Sequence, residues 1–225
     1  MNRRFKAIAF DLDGTLVDSV PDLAAAINGM MMELNLELAS EDQVRSWVGN
    51  GAEVLVQRAI TWSIQRSPES SVLKEALAVF LRHYDLHLNQ HSRLYPSVKA
   101  TLSNLHKQGY QLAIVTNKPQ QFIAPLLQAF GLDAYFSLII GGDTLGRKKP
   151  DPLPLNHILQ QWQLENSQLL MVGDSKNDIL SAKSASIASI GLTYGYNYGE
   201  DIGLCGPDAV FDDFHHIENW VNTQF

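Results

Sequence analysis

A single cysteine, Cys205, in 225 residues excludes an internal disulfide. The fold must therefore rest on its core, which a chain of this length is able to bury unaided. Long hydrophobic runs are missing as well; none approaches the ~20 residues needed to span a bilayer. The start, Met1-Asn2-Arg3-Arg4-Phe5-Lys6, is basic like a secretion signal, but Asp11 and Asp13 interrupt the apolar stretch behind it and no small-residue cleavage site follows. The expectation is a cytoplasmic protein without membrane contact. Positive charge is scarce too: 17 Lys and Arg stand against 24 Asp and Glu, a net charge of −7, which disfavours nucleic acid as a partner. The one basic run, Arg147-Lys148-Lys149, reads alone as a solvated loop. Nothing in the pattern fixes assembly beyond monomer or homodimer.

What is present is an alternation of short apolar runs and helical stripes. Ala7 to Phe10 stops abruptly at Asp11 and reads as a buried strand. Leu112 to Val115, Ser137 to Ile140, Leu169 to Val172 and Ile187 to Ile190 read the same way. Between them lie helices: one with Val98, Leu102 and Leu105 behind a capping Ser97, and one with Phe122 to Phe130 closed by Gly131. Others carry Ile158, Leu159 and Trp162, then Ile179 and Ala182, then Ile217, Trp220 and Val221. This predicts an α/β fold, a Rossmann-like parallel sheet with helices on both faces. Val17 to His91 breaks the rhythm. It holds three helical patterns, Leu23 to Leu34, Val54 to Trp62 and Val72 to His87, no convincing strand, and far more chain than a simple crossover needs. The expected organisation is a core of residues 1–16 and 93–225 with an all-helical cap, 17–92, inserted into it.

In open parallel sheets ligands bind beyond the carboxyl ends of the strands. Those ends carry Asp11-Leu12-Asp13-Gly14-Thr15, Thr116-Asn117-Lys118, Lys148-Lys149-Pro150-Asp151 and Gly173-Asp174-Ser175-Lys176-Asn177-Asp178. Converging carboxylates are unfavourable unless a cation neutralises them. Hard oxygen donors without Cys or His point to Mg2+ rather than zinc. Asp11, Asp13, Asp174 and Asp178 would bring four negative charges, of which Mg2+ and Lys149 recover three; a proton on one acid restores balance.

This ordered set resembles the haloacid dehalogenase-like hydrolase superfamily, in its subgroup with a small helical cap, over essentially the whole chain. The resemblance implies a phosphatase acting on a small phosphate ester. Asp11 would be the nucleophile forming an aspartyl-phosphate, and Asp13 the general acid and base. Asp11, the Asp13 backbone carbonyl and Asp174 would hold Mg2+. Thr116 and the Asn117 amide would hold phosphoryl oxygens, Lys149 would neutralise charge, and Asp178 would support it. Trp47 to Ala52, Gly141 to Leu145 and Gly191 to Gly199 also resemble a bacterial subgroup whose substrate carries a carboxylate beside its phosphate. Gly49 and Gly51 would let backbone approach a ligand, and a helix starting near Ala52 would aim N–H groups at an anion. On that reading Asn50, Gly51 and Arg45 face the carboxylate.

Other readings remain at this stage. The acid pair Asp174 and Asp178 argues against a metal-free dehalogenase, and the absence of a cap lysine before Lys74 argues against a Schiff-base phosphonatase. A sugar-phosphate mutase, or a phosphatase of nucleotides or sugar phosphates, shares every core motif. A phospho-acceptor or phosphate-binding switch is the non-enzyme alternative, although receiver domains place their aspartate on a different strand. His83, His87 and His91 are spaced to share a helix face, as metal ligands or as plain surface. Tyr194, Tyr196 and Tyr198 form either a binding platform or a loop packed on the core.

Overall fold

The computed structural model describes residues 4–224, so Met1 to Arg3 of the basic start and the terminal Phe225 lie outside the described residues. Strand β1 (Ala7–Phe10) is followed by the short β2 (Val17–Asp18). Four helices come next: α1 (Val20–Glu33), α2 (Glu41–Trp47), α3 (Ala52–Ile64) and α4 (Ser70–Leu86). The chain then runs through β3 (Arg93–Leu94), α5 (Val98–Lys107), β4 (Gln111–Val115), α6 (Ile123–Phe130), β5 (Leu138–Ile140) and α7 (Leu153–Trp162). It ends with β6 (Leu169–Gly173), α8 (Lys176–Ser184), β7 (Ala188–Leu192), β8 (Ala209–Phe211) and α9 (His216–Asn222).

Six strands form one parallel sheet in the order β5-β4-β1-β6-β7-β8. The five strands expected from the sequence are all in it; β8 was not anticipated, because its apolar run is only three residues long and none of them is fully buried. One apolar cluster, with Ile8, Phe10, Leu112, Leu170 and Phe214, covers one face of the sheet, and another, with Ala7, Ala9, Val115, Met171 and Ile158, covers the other. Burying each such Leu, Ile or Phe contributes about 1.5–3 kcal/mol, which is why β1 reads as an unbroken apolar run: all four of its residues are buried. Gly131 ends α6 in the left-handed conformation, φ 62°. Ser97 does occupy the N-cap of α5, but its side chain makes no capping bond there.

Helices α1 to α4 bury their own cluster, with Ile27, Met30, Val56, Phe80 and Tyr84, against Phe122 and Tyr196 from below. The sequence missed α2, a seven-residue helix opened by a Ser40/Gln43 capping box and too short for a periodic stripe. It also missed β2, which pairs antiparallel with β3. That two-stranded ribbon carries both passages of the chain between the sheet and the helical segment. Asp22, fully buried in α1, fixes the return passage by accepting from the His91 and Ser92 backbone N–H groups and from Ser92 Oγ.

Candidate active site

The central strand β1 pairs with β4 on one side and β6 on the other, with Phe10 level with Ile114 and Val172. This register delivers Asp11, Thr116 and Asp174 to one rim, where the sheet order changes direction. The Asp11 N–H continues the ladder to Val172 O at 3.0 Å. Its carboxylate Oδ1 accepts from Leu12 N at 2.7 Å and pairs with Lys149 Nζ at 3.0 Å. These contacts leave Oδ2 without a protein partner among the described residues.

Lys149 is 2% exposed, and its ammonium also donates to Asp178 Oδ1 and Val115 O, both at 2.6 Å. Asp178 spends its other oxygen on the N–H and Oγ of Ser175, so it anchors Lys149 and caps α8 at once. Asp174, 1% exposed, accepts from Thr15 Oγ1 at 2.6 Å and from Tyr196 N at 2.7 Å. Gly14 holds φ +88° beside it, and a methyl group there would collide with the Asp174 carboxylate.

Oxygens of Asp11, Asp174 and Asp178 lie within 4.8 Å of one another, all buried. Three carboxylates thus face the single ammonium of Lys149. Burial is the main cause that raises Asp11 from 3.8 to about 7, against the pull of Lys149 and with a push from Asp178. Burial, with Asp11 and Asp178 adding repulsion, raises Asp174 well above its ordinary value. Surplus negative charge on buried oxygen donors is what a divalent cation would relieve, so the donor set fits a metal ion. With Asp178 committed to Lys149 and Ser175, Asp11 and Asp174 are the carboxylates left to hold it.

Asp13 points elsewhere. It accepts from Ser19 Oγ at 2.6 Å and pairs through both oxygens with Lys118 Nζ, at 3.0 and 3.2 Å. Lys118 is 4% exposed and also donates to the hydroxyl of Tyr84 on α4. Burial alone would lower the Lys118 pKa, but Asp13 and Tyr84 outweigh it and hold the ammonium charged. Burial pushes Tyr84 up to about 12, so it stays a neutral hydroxyl.

Asp11, Asp13, Thr116, Asn117 and Lys118 form the floor of a cleft. Its roof is mostly apolar, with Leu23, Val48, Leu55 and Phe80 beside Gly49, Gly51 and Tyr84. Gly51 is the N-cap of α3, φ 88°, so the expected helix start at Ala52 does open onto the cleft. The Asn117 side-chain amide nitrogen donates to Gly49 O at 3.0 Å and Lys149 O at 2.9 Å, so it ties roof to floor, while its Oδ1 is buried without a partner among the described residues.

Two residues expected in the cleft are not on its wall. Arg45 pairs with Asp18 at 3.2 Å and Glu41 at 2.9 Å, over the Tyr196 ring. Asn50 turns its Oδ1 to Tyr198 Oη at 2.7 Å and Arg58 Nη2 at 2.9 Å. Carboxylate and phenol partners outside the cleft were invisible to a motif reading. Lys148, expected to be solvated, is half-buried and donates to Asn50 O at 2.8 Å. The three histidines do not share a helix face, because α4 ends at Leu86; His83 instead meets Glu33 at 3.1 Å. The three tyrosines pack and tie their loop: Tyr194 Oη donates to Thr15 O, Tyr196 Oη to Asp18, and Tyr198 Oη to Asn50. Sequence reasoning assigned no role to Lys118, although it adjoins Thr116 and Asn117; nothing signalled Tyr84 across the cleft.

Residues 8–192 match the model of the family described as haloacid dehalogenase-like hydrolase. The chain belongs to the haloacid dehalogenase-like hydrolases. Among relatives in this family, it is 50% identical over 214 residues to a phosphoglycolate phosphatase of Colwellia psychrerythraea, covering 94% of this chain and 95% of that one. It is 51% identical over 213 residues to a phosphoglycolate phosphatase of Vibrio cholerae, covering 94% of each chain. A crystal structure of a predicted phosphoglycolate phosphatase from Haemophilus somnus superposes with a TM-score of 0.93 at 47% identity, covering 96% of this chain and 98% of that one. As a haloacid dehalogenase-like hydrolase, the chain carries its aspartates on the rim where β1 meets its neighbours.

Proposed function

We propose that the protein is a Mg2+-dependent phosphatase that hydrolyses 2-phosphoglycolate to glycolate and phosphate, in the cytoplasm. The observation that carries this reading is the rim itself: Asp11 paired with Lys149 on one side, Asp13 two residues on, and both lining one small cleft. The relatives named above, about half identical over nearly the full chain, support the substrate.

Asp11 and Asp174, with the Asp13 backbone carbonyl, hold Mg2+, which when bound supplies positive charge to the phosphoryl oxygens and to the carboxylates. Thr116 Oγ1 and the Asn117 backbone N–H hold phosphoryl oxygens. Asp11 Oδ2 attacks phosphorus in line, so the P–O bond to Asp11 forms as the bond to the glycolate oxygen breaks. Lys149, held by Asp178, offsets negative charge at Asp11 throughout. Asp13 gives its proton to the departing alkoxide. It then takes a proton from the water that attacks the aspartyl-phosphate, which restores Asp11 and releases phosphate. Residues 17–92 act as a cap over the core of 1–16 and 93–225, and the apolar roof keeps other water from the intermediate.

The test is phosphate release from a panel of esters with Mg2+ and with EDTA, beside Asp11→Asn. Release from 2-phosphoglycolate that needs Mg2+ and is lost in the variant supports mechanism and substrate together. Equal release from many esters keeps the mechanism and removes the substrate. No release from folded wild-type protein removes both.

A further inference from the structure

We propose that Lys118 is the receptor for the second anionic group of the substrate, and so selects phosphate esters that also carry a carboxylate. This rests on the phosphatase reading above. Among the described residues that line the cleft, Lys118 is the only cationic side chain. The roof opposite offers Leu23, Val48, Leu55 and Phe80, none of which can receive a charge. Arg45 and Asn50, the polar side chains expected in that role, are engaged outside the cleft. A carboxylate entering an apolar, poorly hydrated space needs a charged partner. Lys118 is the one cationic side chain lining the cleft among the described residues, with the N-terminal N–H groups of α3 across from it.

Its position suits the substrate. The two ammonium groups bracket the acid pair, Lys149 beside Asp11 at 3.0 Å and Lys118 beside Asp13 at 3.0 Å. With phosphorus at Asp11 and the bridging oxygen at Asp13, whatever follows that oxygen extends toward Lys118. In 2-phosphoglycolate the carboxyl carbon is two bonds beyond the bridging oxygen, which is within reach of an ammonium already in contact with Asp13. The ammonium is also fixed in advance. Tyr84 Oη accepts one N–H, and the Tyr84 ring lies 4.6 Å from Nζ. Of its three N–H groups, the remaining two point at the two oxygens of Asp13, at 3.0 and 3.2 Å, and the longer contact can be exchanged for a ligand oxygen. A receptor held in place in this way loses little freedom on binding.

The experiment compares kcat/KM for 2-phosphoglycolate and for ethyl phosphate, a similar ester without the carboxylate, in wild type, Lys118→Met, Lys118→Arg and Tyr84→Phe. Wild type should prefer 2-phosphoglycolate. In Lys118→Met that preference should fall roughly 10- to 100-fold, the worth of one charge-assisted contact, with the loss concentrated in KM. Ethyl phosphate should fall by less, through disturbed placement of Asp13. Lys118→Arg should restore part of the preference. Tyr84→Phe keeps the charge and the ring and should reduce the preference by a smaller factor, so the idea remains testable if Lys118→Met does not fold. An equal fall for both esters in Lys118→Met would overturn the proposal and leave the lysine serving Asp13 alone. An unchanged preference in a folded Lys118→Met, or in Tyr84→Phe should Lys118→Met fail to fold, would overturn it as well. Wild type that hydrolyses both esters equally would remove the substrate reading first, and with it the discrimination that Lys118 is invoked to explain.

Discussion

The floor and the roof of the cleft are built from different materials. The floor brings Asp11, Asp13 and Asp174 together with two buried ammonium groups, each acid held by named donors. The roof contributes aliphatic and aromatic surface, two glycines and one phenol. Moving buried charges is expensive, so the floor has to be rigid and prearranged. Apart from Gly49 O and Tyr84 Oη, which accept from Asn117 and Lys118, the roof meets the cleft with apolar side chains, which tolerate changes of volume far better. Chemistry is therefore confined to one wall, and size and exclusion of water to the other.

Breaking the floor should cost most. Asp11→Asn removes the nucleophile and should lower kcat by ~10^4-fold or more, measured by phosphate release under saturating substrate, while the thermal midpoint stays the same or rises because a buried charge is gone. Asp13→Asn should lower kcat by about 10^2- to 10^4-fold with aspartyl-phosphate still forming on esters with good leaving groups; a rapid-quench burst would show it. In the roof, Leu55→Ala should cost about 2–5 kcal/mol of stability by leaving a cavity, read from urea denaturation, with kcat changed far less than by either floor substitution. Equal losses of kcat from roof and floor would end the division proposed here. At the small end, Arg45→Ala breaks a partly exposed pair with Asp18 and Glu41 and should cost no more than ~1 kcal/mol, leaving kcat/KM within about threefold.

The floor should also give the molecule a pH signature. Asp11 is raised from 3.8 to about 7, chiefly by burial, and Asp174 moves the same way. Without metal, the folded state then binds protons more tightly than the unfolded chain across about pH 4 to 7, so these two groups make stability fall as pH rises through that window. A bound cation favours the ionised acids, so the rise in Tm on adding Mg2+ should grow from pH 4.5 to pH 7.5. A Mg2+ effect on Tm that is flat with pH would sever the link between the metal and these carboxylates.

The two walls were also unequally legible from sequence. Asp11, Thr116, Lys149 and Asp174 each sit just after an apolar run or before a proline, and the parallel register does the rest, so reading strand ends was nearly enough to assemble the floor. The roof has no such rule. Arg45 and Asn50 were placed by their neighbours in a glycine-rich stretch, yet their partners, Asp18, Tyr198 and Arg58, are set by how helices pack. Lys118 stood in plain view beside Thr116 and Asn117, but its meaning depends on Tyr84, thirty-four residues away on α4. The short elements β2, α2 and β8 escaped because periodicity needs more residues than they have.

The ribbon of β2 and β3 has one further consequence. Val17 lies opposite Leu94, and Tyr95 N–H reaches Leu16 O at 3.1 Å, so the segment between them leaves and re-enters the sheet domain at a single point. From the standpoint of the sheet it is a long loop whose ends already touch. Any other module with adjacent termini would fit the same socket, and the aspartates beneath would keep their register whether the lid above were large, small or absent. Exchange of one contiguous block of sequence in such a molecule changes the size of substrate admitted, while Lys118 and the reacting groups of the floor are inherited intact.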